Sequence, residues 1–300
     1  MHSRELGLVL TQQILGVDDL HYGLWDDDLE LKLTNLGVAQ QRYTDYLIAA
    51  LPSPQPGPVR VLDIGCGTGH ILGQLLARGY LADGLVPAAS LAKLVRIQQA
   101  RHPDKQSRLF ECRFEDLPVD ELAHSYDVAL FSESFQYISM EASFELLQKI
   151  LKPGGKVVIC DFFKTEHHGD GGPGDGSFGG GHSMAGFYRK VKESKFELIR
   201  DENITTHVSP NLQLVNDLLH NTIKPAGLTL NKYLSDNYPK LSWIAQKLLR
   251  KKLDRMNYKY FSGHRSKETF ERYKTYHLMV LSSDMNIDPP GDTNIDPLLM

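Results

Sequence analysis

The chain has 300 residues, 41% of them hydrophobic and 23% charged, and a formal net charge of −4. These values describe a soluble globular chain long enough for one large α/β domain carrying an elaboration, so a second full domain is not required. They give no general electrostatic field for nucleic acid or acidic membranes. No apolar stretch is long enough to span a bilayer, and the N-terminus lacks a secretion signal's apolar core and small-residue cleavage site. Cys66, Cys112 and Cys160 lie at or beside the ends of predicted buried strands without metal-ligand spacing. They read as small core residues of a reduced, cytoplasmic protein.

In chain order, helical spacing of apolar residues predicts helices from about Glu5 to Val17 and from Leu36 to Leu51. A proline-rich hinge, Pro52 to Pro58, then delivers the chain to strand one at Val59–Ile64. A helix runs from Ile71 to Arg78, capped by Gly79. Strand two follows at Tyr80–Val86, a helix at Ser90–Arg101, strand three at Arg108–Arg113 and strand four at Tyr126–Phe131. After a helix from about Ser143 to Leu151 come a turn at Lys152–Gly155 and strand five at Lys156–Asp161. Two more strands are read at Phe196–Val208 and Tyr273–Leu281, with helical patterns at Leu212–His220 and Leu241–Met256 between them. Alternating strands and helices of this length imply a doubly wound α/β fold whose ligand crevice opens at the carboxyl ends of the strands. The segment 209–272 would sit over that crevice as a helical cap.

The most informative string is Val59-Arg60-Val61-Leu62-Asp63-Ile64-Gly65-Cys66-Gly67-Thr68-Gly69-His70. A β-branched apolar strand ends in an acid and then in glycines at alternate positions, which turn the chain tightly and bring bare backbone against a ligand. No phosphate-binding lysine follows, and the spacing differs from the G-x-G-x-x-G that seats a pyrophosphate. The string resembles the first motif of the class I S-adenosylmethionine-dependent methyltransferases. The resemblance continues through Arg113-Phe114-Glu115-Asp116-Leu117-Pro118, Tyr126–Phe131 and Leu151-Lys152-Pro153-Gly154-Gly155-Lys156. It implies a Rossmann-like seven-stranded sheet with an antiparallel last strand, S-adenosyl-L-methionine as cofactor, and Asp63 facing the methionine ammonium. The implied cofactor site comprises Asp63, Gly65, Cys66, Gly67, Thr68, Gly69, Tyr22, Val86, Phe114, Glu115, Ser132 and Glu133.

Two positions depart from that family's pattern. Val86 stands where strand two normally ends in an acid for the ribose hydroxyls, and strand alternation turns Asp83 to the opposite face. Arg113 stands where an aspartate often meets the adenine amino group, leaving Glu115, Asp116 or the backbone beside Phe114 for that role. Further upstream, His21-Tyr22-Gly23-Leu24-Trp25 is similar to a segment of sterol-, tocopherol- and lipid-type methyltransferases that folds over the cofactor. An aromatic staple between two helices is the alternative.

Methyl transfer from a sulfonium needs alignment of the nucleophile and exclusion of water, and a base only where the acceptor must lose a proton. The candidates are Glu133 in the segment after strand four, Tyr22, and His182 as base. His182 lies in a loop from Lys164 to Gly186 whose nine glycines suit a lid. His167, His168, Asp170 and Asp175 in that loop lack fixed spacing, so no metal is expected. Arg250-Lys251-Lys252 with Arg255, Lys259, His264 and Arg265 forms a local basic patch among aromatics, suited to an acidic substrate or RNA, or to plain solvation. Without a recognisable RNA-binding module, a small-molecule acceptor is expected and nucleic acid is not, with a homodimer left open.

The expected organisation is an N-terminal helical segment (1–57), a cofactor domain (58–208 and 273–284), a cap insertion (209–272) and a disordered tail (285–300). The tail repeats Asn-Ile-Asp-Pro at Asn286 and Asn294. The expected activity is methyl transfer to an oxygen, nitrogen, sulfur or activated-carbon nucleophile of a small metabolite. The alternatives are different chemistry on the same cofactor, such as cyclopropanation, and a non-catalytic subunit that binds S-adenosylmethionine or a nucleoside.

Overall fold

The computed structural model describes residues 19 and 21–283. The first predicted helix, Glu5–Val17, and the predicted disordered tail lie outside them. Helix α1 (Leu36–Ala49) comes first, followed by β1 (Arg60–Ile64), α2 (His70–Ala77), β2 (Leu81–Leu85), α3 (Ala89–Ala100) and β3 (Leu109–Phe110). Then come β4 (Tyr126–Ser132), α4 (Met140–Ile150), β5 (Leu151–Lys164), α5 (Met184–Glu193) and β6 (Phe196–Asn203). The strands form one seven-stranded sheet in the order β3-β2-β1-β4-β5-β7-β6, where β7 is Lys274–Ser283. Neighbours from β3 through β5 pair in parallel, whereas β7 runs antiparallel to both β5 and β6.

Strand alternation builds a core on each side of this sheet. Val61, Val128, Leu130 and Val158 enter one cluster with α2 residues Leu72 and Leu75. Leu62, Ala129, Phe131 and Ile159 enter the other with Phe144 and Leu147 of α4. Helix α2 ends where Gly79 takes φ 93°, and the Gly79 and Tyr80 amides return to the carbonyls of Leu76 and Leu75.

Several predicted boundaries move. Strand three contracts to two residues, and its ladder with β2 spans Gly84–Leu109 and Leu85–Phe110. Strand five extends through Lys164, and the Lys152–Gly155 excursion shifts its register against β4 between Tyr126 and Val128. Strand six stops at Asn203 instead of reaching Val208. The Asn203 side chain accepts from the Thr205 amide at 3.0 Å and starts a short helix, α6 (Thr205–Val208). Helix α5, capped by Ser183 accepting from the Gly186 amide, has no counterpart among the predicted elements.

Between β6 and β7 lie α7 (Pro210–Leu218), α8 (Lys224–Asn237), α9 (Pro239–Met256) and α10 (Lys267–Tyr273). Helices α7 and α10 pack on the body, burying Leu212, Leu214, Phe270 and Tyr273. Helix α8 has no buried residue.

Candidate functional site

Asp63 is the penultimate residue of β1, on the face it shares with Val61, and it is only 1% exposed. Its Oδ2 is buried without a hydrogen-bond partner, and burial pushes the carboxyl up to about 7. An isolated buried carboxylate is costly, so this oxygen is a strong local marker for a cationic group.

The loop after Asp63 is shaped by three left-handed glycines. Gly65 has φ 79°, and a Cβ there would stand 2.5 Å from Ser134 Cβ. Gly69 also has φ 79°, directly before α2, and a Cβ there would meet the Val95 backbone at 2.9 Å. Gly67 differs: at φ 55°, a Cβ would meet nothing within 4 Å. Gly65 and Gly69 are therefore packed against protein, whereas Gly67 borders open space. The Gly65 and Cys66 amides donate to the Leu85 carbonyl at 2.8 and 3.1 Å, tying the loop to the end of β2.

A cleft opens between this loop and the end of β4, lined by Asp19, His21, Asp63, Gly65 to Thr68, His70, Ile71, Leu91, Ser132, Glu133 and Tyr137. Glu133 occupies a left-handed conformation at φ 52° although it carries a side chain, a strain found mostly at functional positions. Its Oε1 accepts from the Tyr22 amide at 2.8 Å and from the Tyr276 hydroxyl at 2.9 Å. Burial raises its carboxyl above the ordinary range, partly offset by the charge of His21 and these hydrogen bonds. The Tyr276 hydroxyl lies 3.0 Å from that of Tyr43, which in turn lies 3.2 Å from Ser132 Oγ.

On the opposite wall, Asp19 joins His70 Nδ1 at 2.7 Å and His21 Nε2 at 3.3 Å. Burial alone would raise the Asp19 carboxyl, but the two imidazoles hold it well below its usual range. His21 is lowered by burial and raised more strongly by Asp19 and Glu133, for a net upward shift. Its ring stacks on Tyr43 at 4.4 Å.

The structure thus gathers Asp63, Gly65, Cys66, Gly67, Thr68, Ser132 and Glu133 around one cleft, with Gly69 at its helix end. Tyr22 reaches it through its amide, while its ring packs edge-on against Phe270 and Tyr276. The other predicted residues stand away from the lining. Val86 is buried in the core beside α3, and Phe114 is buried edge-on to Phe131. Glu115 turns toward Arg113 at 3.5 Å. Asp83 is committed elsewhere, bonded to Arg60, Arg108 and the Tyr126 hydroxyl. His182 lies edge-on to Phe135, its Nε2 3.0 Å from the Phe135 carbonyl.

Asp19, His70, Tyr43 and Tyr276 went unread in the sequence. His70 directly follows the glycine loop and was the one discoverable by position. Tyr276 is some 140 residues from its partner Glu133, and only strand order joins them.

The 164–186 loop is fastened down. Asp170 pairs with Arg272 at 2.6 Å and accepts from the Tyr273 hydroxyl at 3.1 Å, and Phe178 packs on Phe270. Lys274 Nζ donates to the Gly180 carbonyl at 2.6 Å. Among the described residues no group of three or more His, Cys, Asp or Glu side chains is placed to hold a metal ion.

Residues 62–159 match the family model of a methyltransferase domain. Over 129 residues the chain is 30% identical to the mouse mitochondrial ubiquinone biosynthesis O-methyltransferase, a match covering 41% of this chain and 35% of that protein. The fold of a putative sarcosine dimethylglycine methyltransferase from Galdieria sulphuraria superposes with TM-score 0.66 at 18% identity, covering 92% of this chain and 98% of that one. That of a cyclopropane synthase from Mycobacterium tuberculosis superposes with TM-score 0.62 at 15% identity, covering 88% and 90%. Residues 62–159 form a class I S-adenosylmethionine-dependent methyltransferase domain.

The cleft of this methyltransferase domain fits the cofactor's methionine end on structural grounds. The partnerless Asp63 oxygen suits an ammonium, and the open side of Gly67 leaves room for a chain laid along the loop. Around the end of β2, Val86 is core and Asp83 is bonded to Arg60, Arg108 and Tyr126, so neither offers a carboxylate to the cleft.

Proposed function

We propose that this chain binds S-adenosyl-L-methionine in the cleft and transfers its methyl group, by in-line displacement, to a nucleophilic oxygen, nitrogen, sulfur or activated carbon of a small metabolite. The observation that carries this reading is the buried Asp63 oxygen without a partner beside the open flank of Gly67. The cofactor supplies a methyl group on a sulfonium, an electrophile that needs no further activation.

The protein's tasks are then binding, orientation and exclusion of water. Asp63 holds the ammonium with a charge-assisted contact strengthened by burial. Glu133, fixed by the Tyr22 amide and the Tyr276 hydroxyl, sets the wall of the cleft at the end of β4 and ties the Tyr22 backbone to it. His182, whose Nε2 donates to the Phe135 carbonyl, stands off the cleft lining, and it serves as base for an acceptor molecule that extends from the cleft to the Phe135 side. Segment 209–272 serves as the cap, rooted on the body by α7 and α10.

Titration calorimetry with S-adenosylmethionine and S-adenosylhomocysteine tests the reading, and both are expected to bind. No heat from either ligand at about 1 mM would refute it. Asp63→Ala is expected to weaken binding by roughly tenfold to more than a hundredfold, the loss of a hydrogen bond to a charged group. His182→Ala is expected to lower turnover more than cofactor affinity. An unchanged rate with the true acceptor would remove His182 as base.

A further inference from the structure

The cap contains a surface that methyl transfer does not use. From residue 221 to 240 every residue except Ser235 is exposed. The large apolar side chains there and in α9 face solvent: Leu228 is 62% exposed, Trp243 63% and Leu248 78%. Leu230, Tyr233 and Leu234 follow the i, i+3, i+4 spacing of one helix face, as do Ile244 and Leu248 at i, i+4. Soluble helices bury such faces, so two consecutive helices with this much uncovered apolar surface require a partner.

Charge identifies that partner. Between Lys224 and Lys259 the sequence places nine lysines and arginines against two aspartates, in a chain whose net charge is −4. Lys247 lies over the Trp243 ring, its Nζ 5.0 Å from the centroid, so cationic and aromatic groups share one surface. An exposed tryptophan and leucines interleaved with lysines form the pattern of helices that lie in the headgroup boundary of an anionic bilayer. A second copy of this hairpin would bring the same excess of positive charge against itself, which disfavours self-association. Among the described residues no helix is long and apolar enough to cross a membrane, so the contact would be interfacial.

The roots of the hairpin give this surface a bearing on the reaction. On one side Asn211 of α7 donates to the Gly23 carbonyl at 2.7 Å and accepts from its amide at 3.0 Å. On the other, Phe270 of α10 packs edge-on to Tyr22, whose amide rests on Glu133 in the cleft. Both roots therefore meet the segment that borders the methyl-transfer site. We propose that the helical hairpin of α8 and α9 docks on an anionic lipid surface and that the methyl acceptor is an apolar molecule drawn from that surface. The second clause rests on the function proposed above; the first stands without it.

The chain holds two tryptophans, Trp25 buried at 5% and Trp243 exposed, so emission reports the hairpin directly. Titrated with phosphatidylcholine vesicles containing roughly one-third phosphatidylglycerol, the chain is expected to co-sediment with a blue shift of its emission. Pure phosphatidylcholine should bind it far more weakly, and salt should release it. Trp243→Phe should abolish the shift and keep most of the co-sedimentation. Replacing Arg250, Lys251 and Lys252 together by glutamine should weaken binding roughly a hundredfold while leaving calorimetric affinity for S-adenosylmethionine unchanged.

No co-sedimentation and no shift with anionic vesicles, in a preparation that binds the cofactor, would overturn the docking. So would burial of Trp243 by concentration-dependent dimerisation, or capture of the hairpin by nucleic acid in place of vesicles. Vesicle binding without cofactor binding would leave the docking standing and overturn the acceptor clause together with the proposed function.

Discussion

The chemistry rests first on single residues whose surroundings are incomplete without a ligand. Asp63 is pushed from an ordinary 3.8 to about 7 by burial. Between those values the unfolded chain has released the proton that the folded chain retains, so Asp63 makes stability fall as pH rises from about 4 to about 7. Asp161, pushed up to about 8 by burial, adds a slope of the same sign. An ammonium needs the carboxylate form of Asp63, so cofactor affinity should rise by up to about tenfold per pH unit below pH 7 and level off above it. Near pH 6 binding should release almost one proton, measured as a dependence of calorimetric heat on the ionisation enthalpy of the buffer. Equal heats in all buffers would show that Asp63 is already ionised. The loop glycines make a second, paired prediction. Gly67→Ala should fold with a penalty of about 1 to 2 kcal/mol for its left-handed backbone and lose cofactor binding by filling the open side. Gly65→Ala should lose the fold of the loop itself, because its Cβ would overlap Ser134. Thermal melts and cofactor titrations of the two variants should separate these outcomes.

Among the elements, local pattern carried most of the fold. The β-branched run at 60–64, the alternate glycines and the capping Gly79 are signals within a few residues of one another, and β1, the loop and α2 form where they predict. Elements decided by pairing were less legible. Strand three contributes only the pairs Gly84–Leu109 and Leu85–Phe110 to the sheet, and strand six ends where an asparagine side chain captures the next amide. Helix α5 was hidden by the glycine-rich loop before it. The site divides the same way: Asp63 and the glycines were readable, whereas the clasp from β7 onto Glu133 depends on an antiparallel strand arriving from the far end of the chain. Tyr276→Phe tests that clasp by removing the hydroxyl donor and leaving the Tyr22 amide on Glu133 Oε1. It should cost about 1 kcal/mol in chemical denaturation and weaken cofactor binding severalfold. Unaltered affinity would show that the strained Glu133 conformation is held by its backbone alone.

At the scale of the molecule, stability is unevenly distributed, and the division follows the topology. The sheet buries residues on both faces with α2 and α4 against it, so its opening requires loss of both core clusters. The hairpin of α8 and α9 has an exposed α8 and makes its contacts chiefly within itself, so it should open at much lower cost than the sheet. Limited trypsin digestion should therefore cut first between Lys224 and Lys259, where lysines and arginines are concentrated, while Lys149 and Lys156, anchored by α4 and β5, persist. Mass spectrometry of the early fragments would locate those cuts. The nicked molecule should keep a single thermal transition close to that of the intact chain, because the two halves remain joined through β7 packed between β5 and β6. Retained cofactor affinity after nicking would assign the cleft to the sheet and its loops. A collapse of the transition on nicking would mean instead that the hairpin holds β7 in register, and would move the origin of stability from the core to the hairpin.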